Sequence, residues 1–224
     1  MNGDSERRFT RGLVEVRAAG GSRTIGGYAA KFNTLSRNLG GFVERIDPGF
    51  FAKSEGDGWP RAMARYNHDG NMLLGTTRAG TLRLQTDGTG LDYSVDVPAA
   101  REDVYELVQR GDVSESSFAF FTFEDDWSMT DDGFPVRTLL SGQLVDVAPV
   151  NDPAYLDTST GLRSLAEKAG AELAEVRAAA EAGELKRFLG APAPTIIPPG
   201  GQGDTHPLLA VRQRRAALNQ RRTF

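Results

Sequence analysis

Residues 81–97 read TLRLQTDGTGLDYSVDV, two alternating runs on either side of an Asp-Gly pair. Alternation of apolar and polar residues has the period of a strand with one covered face. Asp-Gly reaches the backbone angles that a tight hairpin demands. A chain built on this grammar folds mainly as β-structure, and the grammar recurs. LVEVR closes the segment from Arg11 to Arg17, and GGYAAKF spans Gly26 to Phe32. Val113–Phe123, Val136–Leu140 and Gln143–Val150 are further strand candidates; the first and last lean on β-branched and aromatic residues. One short helix is expected at Asp103–Gln109, after Pro98. Asp103 would complement the helix dipole in its first turn and Gly111 would end it. Many short strands with one or two helices predict an antiparallel barrel or sandwich.

Near residue 160 the chain changes character. Leu162, Leu165, Leu173 and Val176 recur at helical spacing among Ala and Glu, Gly183 interrupts, and LKRFL follows. Net charge shifts from −8 over residues 1–160 to +4 over residues 161–224. APAPTIIPPGGQGD, at 191–204, reads as a linker, and VRQRRAALNQRRTF is a basic end. The expected organisation is therefore a β-domain over 1–160, a helical extension over 161–190, and a flexible, partly disordered linker and tail over 191–224. Cysteine is absent, which removes disulfides and thiolate chemistry. No apolar run approaches a membrane span, and MNGDSERRF lacks the apolar stretch of a secretory signal. An acidic folded part argues against nucleic acid as a partner.

Three segments carry candidate chemistry. RYNHDG holds His68, the single histidine outside the tail, where His206 lies. Neighbours on an extended chain point to opposite faces, so Asp69 is a poor partner for its ring. With no cysteine and no nearby second histidine, a zinc site is unsupported, and no cofactor motif is present. In GDVSESSFAFF, alternation groups Ser114, Ser116, Phe118 and Phe120 on one face and Ser117 with small and apolar neighbours on the other. A hydroxyl among apolar neighbours needs a partner. Spacing leaves the choice between Ser116 and Ser117 open. In QLVDVAPVNDPAY, Asp146 sits between Val145 and Val147, where a buried carboxylate is costly unless paired. Its alternatives are an edge residue facing water or a carboxylate that orients an imidazole. Asp152 reads as turn chemistry.

Taken together, NHD with LLG at 73–75, GDVSESSFAF and LVDVAPVNDPAY resemble the prohead maturation proteases of tailed bacteriophages, distant relatives of the herpesvirus assemblins. GYAAKFNTLS and ERIDPGFF also fit, so the likeness covers roughly residues 10 to 165. The resemblance implies a closed β-barrel ringed by helices and a serine endopeptidase. Within it His68 matches the catalytic histidine, Ser117 the nucleophile and Asp146 the acidic third member, often Glu in relatives. It further implies action on the major capsid protein and its scaffold segment, and on the chain itself, inside an assembling procapsid in the host cytoplasm. A homodimer stays open. The rival expectation is a non-catalytic capsid assembly or scaffolding factor, for which the three side chains need not meet.

Overall fold

The computed structural model describes residues 5–10, 14–17, 22–151 and 159–189. Its strands, in chain order, are β1 (Glu6–Thr10), β2 (Val14–Val16), β3 (Thr24–Lys31), β4 (Val43–Ile46), β5 (Met63–Arg65), β6 (Leu73–Thr76), β7 (Leu82–Thr86), β8 (Gly90–Asp96), β9 (Glu115–Met129) and β10 (Pro135–Val150). The helices are α1 (Ala52–Gly56), α2 (Glu102–Arg110), α3 (Ser159–Ala169) and α4 (Leu173–Ala182). Among the described residues no helix is long and apolar enough to cross a membrane.

The expected hairpin is present as β7 and β8, paired from Leu82↔Val95 to Thr86↔Leu91. The Asp87 carboxylate accepts from the Thr89 and Gly90 N–H groups at 2.7 and 3.0 Å and so closes its turn. α2 also follows expectation: Glu102 and Asp103 occupy its first turn, and Gly111 caps it at φ 82°.

Two sheets result. One runs β1-β9-β10-β5-β6, with β4 also pairing β10; the other runs β2-β3-β8-β7. The first curves as a half-barrel and the second is open. The protein is thus mainly β with a few helices, but the described ladders do not draw a closed barrel. Where the sheets meet, single bonds replace a ladder: Val14 N donates to Ser114 O at 3.1 Å, and Thr10 Oγ1 to Ala29 O at 2.9 Å. The expectation of purely antiparallel pairing is also corrected. β4 and β5 both run parallel to β10, at Val136↔Val43 to Leu139↔Ile46 and at Asp146↔Met63. Parallel neighbours need crossover connections, which leave no short turn motif in the sequence.

The separate runs expected at Val136–Leu140 and Gln143–Val150 form one strand, β10, with a register shift at Ser141–Gly142. Gly142 makes that irregularity possible. A Cβ there would stand 2.2 Å from the Phe50 ring and 2.6 Å from Phe121 O. The helical spacing after 160 divides between α3 and α4, and Gly183 ends α4 at φ 71°. These helices pack Leu162, Leu165, Val176 and Ala179 with Leu39 and Phe42 into a core of their own, with Trp127 against it. The main core joins both sheets around Phe50, Phe51, Phe118 and Phe120. Phe118 and Phe120 stack at 4.9 Å, and Phe50 meets Phe120 edge-on at 5.3 Å. This aromatic face fixes the orientation of β9: with Phe118 and Phe120 turned inward, Ser117 is turned to the other side. The linker and tail at 191–224, and the turn at Asp152, lie outside the described residues.

Candidate active site

His68 stands at the end of a single 3-10 turn, Tyr66–His68, that follows β5 directly. Asn67 and His68 both adopt left-handed backbone angles, φ 52° and 56°. Asparagine tolerates this region; for histidine it costs roughly 1–2 kcal/mol. The turn is held by local bonds. Asp69 N donates to Tyr66 O, Tyr66 N to Met72 O and Met72 N to Asp69 O, each at 3.0 Å. Asn151 N, beyond the end of β10, donates to Asn67 Oδ1 at 3.2 Å. The Asp69 carboxylate accepts from Asn71 N at 2.8 Å and so faces away from its neighbour's ring.

The partners of His68 come from β9 and β10. Its Nδ1 lies 2.5 Å from Asp146 Oδ1 and its Nε2 lies 2.6 Å from Ser117 Oγ. Ser117 pairs with Ala148 on β10, and Asp146 pairs with Ala119 on β9 next to a register shift between Leu144 and Asp146. All three side chains are buried. Ser117, not Ser116, touches the imidazole. The Ser116 hydroxyl faces the main core and meets the Tyr93 hydroxyl at 3.1 Å. Burial pushes the Tyr93 phenol up, so it stays neutral there.

The contacts suit one order of protons on a neutral ring beside a carboxylate. A carboxylate only accepts, so Nδ1–H donates to Asp146 and leaves a lone pair on Nε2. The Ser117 hydroxyl can then donate to Nε2. Its oxygen also lies 2.8 Å from the Arg8 carbonyl on β1. One hydroxyl proton thus has two acceptors, one a base and one a passive backbone group. Asp146 has a second contact as well: Arg65 Nη1 donates to its Oδ2 at 3.0 Å. Burying a lone carboxylate is expensive, and Arg65 and His68 together offset that cost.

Arg65, Asn67 and the Arg8 carbonyl were not among the sequence candidates. The Asn of RYNHDG, a residue that tolerates left-handed backbone, was a usable signal for Asn67. Nothing local marks Arg65, and a backbone carbonyl leaves no trace in a sequence. Among the described residues no cluster of His, Asp and Glu is arranged to hold a metal ion. A cavity of about 400 Å³ lies apart from these residues, lined by Thr122, Asp125, Arg137, Thr160 and Ser164 among others, and it contains none of the three.

Compared with known proteins, the chain matches a family model described as caudovirus prohead serine protease over residues 13–171, more than two thirds of its length. Neither the curated proteins nor the solved structures contain a match.

Proposed function

The chain belongs to the caudovirus prohead serine protease family, and on that premise we propose that Ser117, His68 and Asp146 are its catalytic triad. Membership makes it a serine protease of capsid maturation, with a capsid protein as substrate and the procapsid as its place of action. The observation that carries the residue assignment is the two-bond relay from Ser117 Oγ through the His68 ring to Asp146.

The chemistry follows from that relay. A serine hydroxyl is a weak nucleophile until a base takes its proton. Ser117 Oγ attacks the scissile carbonyl carbon while His68 Nε2 receives the hydroxyl proton. Asp146 holds the ring in the required tautomer and stabilises the imidazolium. His68 then gives that proton to the leaving amine as the C–N bond breaks, leaving an acyl group on Ser117. Water, deprotonated by the same imidazole, releases the acid and restores the hydroxyl. Before the first step the Ser117 proton must point to Nε2 and not to the Arg8 carbonyl.

The finer substrates we infer are the major capsid protein with its scaffold segment, and the chain itself. The test co-expresses the capsid protein with wild-type chain or with Ser117→Ala and follows the capsid protein by intact mass. Processing by wild type and full-length capsid protein with Ser117→Ala is the expected pair of results. Equal processing in both would remove Ser117 as the nucleophile.

A further inference from the structure

We propose that Arg65 is a positioning residue for the His68–Asp146 pair, an inference that rests on the triad reading. Arg65 is the last residue of β5, three positions before His68, and its guanidinium reaches across to β10. There it donates to Asp146 Oδ2, while Oδ1 of the same carboxylate faces His68 Nδ1. Both carboxylate oxygens are thereby fixed. The carboxylate plane cannot rotate about Cβ–Cγ without breaking one contact, and the imidazole direction is set with it.

The rest of the guanidinium is poorly served. Nη2 contacts the Met63 sulfur, a weak acceptor, at 3.2 Å, and among the described residues Nε is buried with no hydrogen-bond partner. One buried donor thus goes without a partner among the described residues while the contact with Asp146 is kept. The other charged groups around the pair are turned elsewhere or carry the wrong sign. Asp69 of the turn faces Asn71. Arg8 of β1 is committed to Glu6 and Glu44. Glu115, two residues before Ser117 on β9, is a carboxyl and supplies no cation. Arg65 is therefore the cation placed to keep the Asp146 carboxylate aimed at His68.

Two readouts test this on the full-length chain. The first is kinetic: Arg65→Met, Arg65→Gln and Arg65→Lys are compared with wild type on a capsid-protein substrate. The two uncharged variants are expected to lose about 10²-fold in kcat with KM little changed, since the loss is one of alignment. Arg65→Lys, which keeps the charge without the planar fork, recovers part of it. The second needs no hydrolysis. In a Ser117→Ala background the Nδ1 proton of His68 gives a far-downfield resonance, readily assigned because the chain has two histidines. The resonance is expected to persist with Arg65→Lys and to vanish with Arg65→Met or Arg65→Gln. Should Arg65→Met fail to fold, Arg65→Gln decides. Uncharged variants that keep both kcat and the resonance overturn the proposal, as does a rise in KM alone. Loss of the resonance in a protein whose wild type hydrolyses nothing would support the Arg65 contact while refuting the triad.

Discussion

Two buried polar clusters share the strands β1, β9 and β10, and they are built on opposite terms. Toward one end of the β9–β10 pair, Arg137 donates to Asp125 and Glu6 at 2.6 Å and to Glu44 at 3.0 Å. Arg8 binds Glu44 and Glu6 at 2.6 and 2.8 Å. Thr122 and Ser164 supply further donors to Glu6 and Asp125. Every carboxylate in this network has several partners, on ordinary strands. At the other end, His68 sits on left-handed backbone, the Ser117 proton has two acceptors, and Arg65 has a donor with no partner among the described residues. Burial of polar groups is common to both. What separates them is satisfaction: the saturated cluster ties the strands together, and the unsaturated one leaves the Ser117 proton a choice of two acceptors.

The comparison can be broken in order of expected effect. On the proposed triad, His68→Ala should lower peptide hydrolysis by roughly 10⁴-fold or more, because nucleophile and base would act as a unit. Thermal melting should meanwhile change less than for the next variant. Arg137→Met removes a shared partner from three buried carboxylates, Glu6, Glu44 and Asp125. It should cost about 3–5 kcal/mol and lower Tm by on the order of 10 °C, read by calorimetry. A His68→Ala protein less stable than Arg137→Met would erase the distinction.

Acid should act on the saturated cluster. Burial pushes the Glu6 carboxyl up, but the Arg137 and Arg8 guanidiniums outweigh it and hold Glu6 below its ordinary 4.5. A group depressed in the folded state contributes stability that is present above its unfolded value and lost as pH falls through the folded one. Wild type should therefore lose Tm on acidification below about 4.5 more steeply than Glu6→Gln, in parallel melts across that range. Equal slopes would remove Glu6 from the account. The smallest effect is expected at Ser116. Ser116→Ala deprives the Tyr93 hydroxyl of its partner and should cost about 1–2 kcal/mol, with hydrolysis changed no more than a few-fold.

How much of this was legible in the sequence differs between the two clusters. β3, β7, β8 and α2 announce themselves by alternation, an Asp-Gly turn and a closing glycine. His68, Ser117 and Asp146 stood out because chemistry-bearing residues fell in apolar or turn surroundings, and because their segments resemble a known family. The structure brings those three side chains into contact. The saturated cluster was invisible. Glu6, Arg8, Glu44, Asp125 and Arg137 are scattered over 132 residues and look like ordinary surface charge until β4 pairs parallel to β10. β9 was read too short for the same reason, since Glu124, Asp125 and Asp126 look like a solvated end. Only the pairing with β10 and the contact with Arg137 explain a strand there. The choice between Ser116 and Ser117 turns on which face of β9 meets the core, a tertiary fact.

A fluorophosphonate probe offers the most direct measurement, since it forms a stable bond with a serine oxygen only where a neighbouring base has activated it. Peptide mapping after labelling should find one adduct, on Ser117, that persists in Ser116→Ala and disappears in His68→Ala. An adduct on Ser116 instead, or labelling of Ser117 that survives loss of the imidazole, would contradict the account at its centre.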